Sequence, residues 1–205
     1  GTFHSIGARI LRKHISYLND KYNSDFTIYD VSDQKSLLKE VVDQLNIAEF
    51  KELNINFLRS QLDKFKNASM TVKEVESKAN SFEDEKIAEV YKKYSELLLS
   101  NNAVDFNDLI GIPVKLFKHS PALLSKYQKA WKYILVDEFQ DTNSPQFELI
   151  SLLGGAHQNI TVVGDDDQSI YGWRGANIDN ILNNFKDIFP KAVEVKLEKN
   201  YRSTQ

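Results

Sequence analysis

The stretch that decides the fold is YILVDEFQDTN, residues 133–143. An apolar run at 133–136 ends at two adjacent carboxylates, Asp137 and Glu138. This pattern is typical of a buried parallel strand that carries acids to the carboxyl edge of a sheet, where open α/β folds bind ligands. Such acids suit Mg²⁺-assisted phosphoryl chemistry, with Asp137 on the metal and Glu138 accepting a proton from water. An ordinary strand exit with exposed acids is the alternative.

A second stretch, VVGDDDQSIYGWRGA at 162–176, also begins as an apolar strand and ends in acids. Gln168 is a neutral donor and acceptor, which suits it to contact a terminal phosphate or to position water. Tyr171, Trp173 and Arg174 follow in a glycine-flanked loop, where exposed aromatic rings can stack nucleic-acid bases for about 1–3 kcal/mol per base. The alternative is that these aromatic residues anchor the loop in the core.

Two further stretches lie near the ends of the chain. In LEKNYRST, residues 197–204, Tyr201 can stack on an adenine ring and Arg202 can reach a γ-phosphate; a polar linker is the alternative. At the start of a predicted helix, hydroxyl and amide groups favour a phosphate, here that of a DNA backbone. The four residues concerned are Thr2, Phe3, His4 and Ser5, although a lone histidine is more often structural.

Composition fits an ordinary globular protein. The 205 residues carry a net charge of −3, are 41% hydrophobic and include no cysteine, which excludes disulfides and thiolate zinc sites. The sequence shows neither an apolar run of membrane-spanning length nor a signal-peptide layout. We therefore expect a cytoplasmic protein without a membrane partner.

Periodicity divides the chain into two parts. Residues 20–103 are predicted to be entirely helical, with a long helix at 82–100. From residue 132 onward, strands at 132–137, 160–163 and 193–197 alternate with helices at 145–153 and 177–188, which predicts a parallel α/β unit. Asp105, Asn107 and Asp108 are predicted to cap a helix at 105–118.

In this order, TFHS, DFNDL, LVDEFQDTN, VVGDDDQSIYGWRGA and LEKNYRST resemble the middle of a superfamily 1 DNA helicase of the UvrD/Rep/PcrA family. GDDDQSIY is most similar to the Rep branch. The resemblance implies an α/β fold, namely a partial P-loop-NTPase (RecA-like) parallel sheet domain with a large all-helical insertion. It also implies ATP-driven translocation on single-stranded DNA and unwinding of duplex or fork DNA, alongside replication or repair proteins.

The family pattern implies a role for each matching residue. Asp137 resembles the Mg²⁺ ligand, Glu138 the general base and Gln168 the γ-phosphate sensor. Tyr201 resembles the adenine-stacking residue and Arg202 the arginine on the γ-phosphate. The residues that resemble DNA contacts are Thr2, Phe3, His4, Ser5, Tyr171, Trp173 and Arg174.

The resemblance also implies a division into domains. Residues 1–11 and 104–190 would belong to motor domain 1A, 12–103 to the helical insertion 1B, and 191–205 to the start of motor domain 2A. The sequence departs from the family because it contains no GxxxxGK[ST] motif, which cradles the phosphates. We therefore expect an internal fragment that is inactive alone. Two alternatives remain, the motor of a helicase–nuclease and a non-enzymatic DNA- or protein-docking module.

Overall fold

Helices dominate the structure, a computed structural model that describes residues 1–18, 21–47, 54–169, 172, 176–177, 179–197 and 199. Their bounds are Phe3–His14 (α1), Val31–Gln44 (α2), Ile55–Asn67 (α3), Val72–Lys78 (α4), Phe82–Ser100 (α5), Asp108–His119 (α6), Pro121–Ala130 (α7), Ser144–Gly154 (α8) and Phe185–Ile188 (α9). Three-residue 3-10 turns cover Ile15–Tyr17, Phe139–Asp141 and Asp166–Gln168, and a π-helical turn covers Asn180–Asn184.

Side-chain caps determine where several helices begin. Asp30 caps α2, Thr71 caps α4 and Asn143 caps α8, each in a reciprocal capping box with the residue three positions later. These bonds satisfy backbone N–H groups that have no partner inside the helix. The cap at Asn143 fixes the start of α8 directly after the YILVDEFQDTN stretch.

The strands form two parallel pairs. Thr27–Tyr29 (β1) pairs with Ala103–Asp105 (β2), and Ile134–Val136 (β3) pairs with Ile160–Val162 (β4), with Ile134 opposite Ile160. Helix α8 connects β3 to β4, so the predicted strand–helix–strand unit is confirmed. The mixed α/β fold with short parallel sheets confirms the predicted fold class, a partial RecA-like domain with a helical insertion.

Buried apolar side chains form separate clusters. One cluster, called here the helical core, joins α2, α3, α4 and α5. A second, the junction core, joins α1, β2 and α6 through Leu11, Ile15, Phe26, Val104, Leu109 and Ile112. The third, the sheet core, lies against β3 and contains Val136, Phe139, Ile150, Phe185 and Phe189. A fourth cluster packs Ile10 of α1 against α6, α7 and α8.

The prediction that 20–103 is entirely helical is wrong at one place. Residues 27–29 form strand β1, which pairs with residues 103–105. A run of three residues is too short for periodicity to reveal, and its partner lies far along the chain. The long helix predicted at 82–100 is confirmed with the same bounds.

Two expectations about strands are also corrected. Strand β3 is not fully buried: Leu135 is 79% exposed, while Val136 is buried in the sheet core and the half-buried Ile134 packs against it. Residues 193–197 form no strand, and Val193, Val195 and Leu197 are exposed. In the described part of the chain each sheet has two strands, so no other strand pairs with this segment.

The helix predicted at 177–188 is confirmed for residues 179–188, although its part at Asn180–Asn184 is π-helical before α9. Among the described helices, none is long and apolar enough to cross a bilayer.

Candidate nucleotide-hydrolysis site

The predicted acids leave the sheet at one edge. Beyond the paired residues, the ladder continues as the N–H of Val163 donates to the Val136 carbonyl at 2.8 Å. The N–H of Phe139 then donates to the Val163 carbonyl at 2.9 Å. Because the two strands are parallel, Asp137 and Glu138 emerge beside the loop that begins at Gly164. This is the carboxyl edge at which the sequence placed them.

Glu138 has a backbone conformation that side chains rarely adopt. Its φ of 51° and ψ of 44° lie in the left-handed region. Such a conformation in a non-glycine residue costs on the order of 1–3 kcal/mol and is often found at functional sites. The carboxylates of Asp137 and Glu138 are both exposed, and Oδ1 of Asp137 accepts a hydrogen bond from the Glu138 N–H at 3.0 Å.

Gln140 connects this acidic pair to the neighbouring loop. Gln140 is buried, with only 1% of its surface exposed. Nε2 of Gln140 donates to Oε2 of Glu138 at 2.8 Å, and Oε1 of Gln140 accepts from the Asp165 N–H at 3.1 Å. Both polar ends of this buried amide therefore have a hydrogen-bond partner, and the two partners follow two different strands.

Gln168, the predicted phosphate sensor, lies at the end of the same loop. Its Nε2 donates to Oδ2 of Asp165 at 2.6 Å, and its N–H donates to the Asp165 carbonyl at 3.1 Å. The structure therefore joins Glu138, Gln140, Asp165 and Gln168 in a continuous series of hydrogen bonds along the sheet edge.

The acids present fit a Mg²⁺ ion that shares its coordination with phosphates. Among the described residues, no group of three or more histidines and acids could close a metal site. Mg²⁺ usually takes only one or two carboxylates beside waters and substrate phosphates, and the exposed Asp137 offers one. Nearby, burial raises the pKa of Asp141, and the charge of Glu138 raises it further.

The predicted DNA-contacting residues open helix α1. Thr2 caps this helix by accepting from the Ser5 N–H at 3.2 Å, and both residues are exposed. Phe3 and His4 are half-buried, and the His4 ring stands edge-on to Phe106 at 5.8 Å between centroids. Burial lowers the pKa of His4. Thr2 and Ser5 are thus available to a ligand, while Phe3 and His4 also pack within the fold.

A cavity of about 730 Å³ lies between the start of α1, strand β3 and helix α8. Thr2, Phe3 and His4 line one side, and Asp137 lies at another. The structure therefore places the predicted DNA-contacting residues and the predicted metal ligand around one space, although Ser5 does not line it.

Five predicted site residues lie outside the described residues: Tyr171, Trp173, Arg174, Tyr201 and Arg202. Sequence reasoning missed two buried polar residues of the YILVDEFQDTN stretch, Gln140 and Thr142. The carbonyl of Thr142 accepts from Nδ2 of Asn180 at 3.0 Å. Because residues 137–143 are almost all polar, the sequence gives no signal that these two side chains are buried or which groups they contact.

Parallel strands joined through a helix, with acids at their carboxyl edge, place the chain in the α/β class of RecA-like folds. The family described as UvrD/REP helicase N-terminal domain matches residues 1–189, and the chain belongs to this family.

Relatives with curated names cover the whole chain. The ATP-dependent DNA helicase PcrA of Staphylococcus epidermidis (strain ATCC 35984) is 44% identical over 204 residues. The ATP-dependent DNA helicase PcrA of Staphylococcus aureus (strain Mu50) is 43% identical over the same length. In both comparisons the match covers 100% of this chain and 27% of the relative.

Proposed function

We propose that this chain is part of an ATP-dependent DNA helicase that steps along single-stranded DNA and unwinds duplex DNA. The observation that carries the proposal is the hydrogen-bonded edge from Glu138 through Gln140 to Asp165 and Gln168. Nucleotide hydrolysis needs an acid that accepts a proton from water and a polar group that contacts the terminal phosphate, and this edge carries a candidate for each. The names of the relatives support ATP and DNA as ligands.

In the proposed reaction, Glu138 accepts the proton of the water that attacks the γ-phosphate. Asp137 would hold Mg²⁺, and the ion would supply positive charge that offsets the charge of the phosphates. Gln168 contacts the γ-phosphate and couples the presence or absence of that phosphate to the residues that bind DNA. The exposed carboxylates of Asp137 and Glu138 suit these roles because both are accessible to a nucleotide.

For DNA, we propose contacts from Thr2, Phe3, His4 and Ser5 to backbone phosphates. The exposed hydroxyl groups of Thr2 and Ser5 suit this role better than the half-buried rings between them. Base stacking is assigned to Tyr171 and Trp173 with Arg174 beside them, and the second motor domain would contribute Tyr201 and Arg202. These five assignments rest on the resemblance to the family.

The proposed division places residues 1–11 and 104–190 in motor domain 1A, 12–103 in insertion 1B and 191–205 at the start of 2A. The helical core draws only on residues within 12–103, which supports a separate insertion. Helix α1 runs through the boundary at 11/12, so the two parts share one helix. A cytoplasmic location and replication or repair partners follow from the proposed work on DNA.

The proposal is tested in the full-length protein that contains this chain. Glu138→Gln removes the base but keeps size and shape, so ATP turnover should fall by at least about 10²-fold while nucleotide binding is retained. The matched control is Glu83→Gln, which alters an exposed glutamate in the first turn of α5 and should leave turnover unchanged. Undiminished DNA-stimulated turnover in Glu138→Gln would contradict the assignment.

A further inference from the structure

The side chain of Gln140 has a role that the proposed reaction has not yet used. Its buried amide is the link between the two strand exits: the NH₂ group donates to the Glu138 carboxylate and the oxygen accepts from the Asp165 N–H. These two partners fix which way the amide of Gln140 points. A carboxylate only accepts hydrogen bonds, so it must face the NH₂ group, and a backbone N–H only donates, so it must face the amide oxygen. The amide orientation is therefore fixed by its neighbours.

Few side chains can occupy this position and serve both partners. A glutamate has the same shape and can still accept from Asp165, but its carboxylate cannot donate to Glu138. A leucine can do neither. Because Gln140 is 1% exposed, water has little access to replace a lost bond. The site thus requires an amide, and its donor end points at the one residue proposed to act as base.

We propose that Gln140 is a positioning residue that holds the Glu138 carboxylate in place and ties it to the Asp165–Gln168 loop. This inference rests on the proposed function, because it assigns Glu138 as the base and Gln168 as the phosphate sensor. A shift of Gln168 moves Asp165, which its side chain holds at 2.6 Å. Gln140 passes that shift to Glu138, so hydrolysis responds to the state of the loop.

Glu138 combines a left-handed backbone with an exposed carboxylate that needs a partner to hold it in one position. With φ at 51°, the residue occupies a conformation that its neighbours must impose. Its exposed carboxylate would otherwise sample many rotamers, and misplacement of a reacting group by about 1 Å can cost on the order of 10²-fold in rate. The bond from Gln140 restricts the carboxylate at its outer end.

The test uses the full-length protein, with ATP turnover measured with and without single-stranded DNA. Gln140→Glu and Gln140→Leu should both lower kcat by about 10- to 100-fold while the KM for ATP and the Kd for DNA stay nearly unchanged. The matched control is Gln128→Leu, which also removes a part-buried glutamine bond between two helices, from Nε2 to the Leu152 carbonyl at 2.8 Å. Its kcat should stay near that of the wild type.

A second readout separates positioning from general stability. Gln140 and Gln168 share Asp165, so the loss in the double variant Gln140→Glu/Gln168→Ala should be smaller than the product of the single losses. The positioning role would be overturned if the kcat losses of the two single variants multiplied in the double variant. It would also be overturned if the kcat of Gln140→Glu equalled that of the control. If Gln140→Leu fails to fold, the same-shaped Gln140→Glu carries the test. A wild-type protein without DNA-stimulated turnover would overturn the proposed function, and this role with it.

Discussion

The ammonium nitrogen of Lys66 lies 2.6 Å from Oδ2 of Asp105, inside the protein. Their side chains are only 9% and 4% exposed. Oδ1 of Asp108 also approaches the ammonium group, at 2.9 Å, and the hydroxyl of Tyr94 donates to Asp105 at 3.2 Å. Helix α3 of the proposed insertion is thereby held to the strand and helix that lead back into the proposed motor domain.

Replacement of Lys66 by methionine should destabilise the fold strongly. The change would leave the carboxylates of Asp105 and Asp108 buried without their cation, which typically costs about 3–5 kcal/mol. The free energy of unfolding in urea measures the effect. Lys64→Met, on the exposed side of the same helix two residues earlier, is the control and should change stability by less than about 0.5 kcal/mol. Equal effects of the two variants would contradict a structural role for the buried pair.

Stability should fall in alkaline solution. Burial acts to lower the pKa of Lys66, but the carboxylates of Asp105 and Asp108 raise it well above its usual value. A raised pKa in the folded state means that the stabilising contribution is present below the unfolded value, about 10.4, and is lost as pH rises through the folded value.

Buried tyrosines act in the same direction. Burial raises the pKa of Tyr22 to about 12 and raises that of Tyr94 further, so the folded state retains these protons longer than the unfolded chain. We therefore expect the free energy of unfolding to decline above about pH 10, with a shallower decline in Lys66→Met. A flat profile through this range would contradict the expectation.

Gly7 allows α1 to contact α6 closely. A Cβ atom built at this position would lie 1.8 Å from the Leu109 carbonyl oxygen, which is backbone and cannot swing aside. Gly7→Ala should therefore destabilise the chain by at least about 1–3 kcal/mol in thermal unfolding. Gly111→Ala is the matched control on α6: nothing lies within 4 Å of its added Cβ, and alanine should stabilise the helix by up to about 1 kcal/mol. Loss of stability in both variants would contradict this explanation, because the close contact with Leu109 exists at Gly7 and has no counterpart at Gly111.

The chain of 205 residues by itself should hydrolyse no ATP. Without a GxxxxGK[ST] motif it lacks the backbone amides and the lysine that hold the phosphates, so Asp137 and Glu138 have no bound nucleotide to act on. A phosphate-release assay with single-stranded DNA measures this directly. Turnover above that of the same chain carrying Glu138→Gln would show that other residues hold the phosphates.

Much of the fold follows from sequence where elements are long and amphipathic, as at 55–67 and 82–100. Short strands are the difficulty, because their pairing depends on distant residues. Residues 27–29 form a strand because residues 103–105 lie alongside them. Residues 193–197 have the alternating pattern of a strand, but in the described part of the chain no other strand pairs with them.

The candidate site could be predicted only in part. Asp137, Glu138 and Gln168 follow apolar runs, so their place at the sheet edge can be read from the sequence. The roles of Gln140 and Lys66 depend on contacts across the fold, since Lys66 meets Asp105 over a separation of 39 residues. Capping was predicted for Asp105, and its Oδ1 does accept from the Asp108 N–H at 3.0 Å, but the buried lysine was missed.

Helix α1 ties the proposed insertion to the rest of the fold. Its consecutive residues Ile10 and Leu11 belong to different clusters, one packed on α6, α7 and α8 and the other on β2 and α6. Excision of 12–103 as a cassette would cut this helix before its last turn and remove Lys66 from Asp105 and Asp108. The insertion therefore cannot be removed without damage to the rest of the fold. In a deletion variant, the cut in α1 and the unpaired carboxylates must be repaired by further substitutions before a loss of function can be attributed to the missing segment.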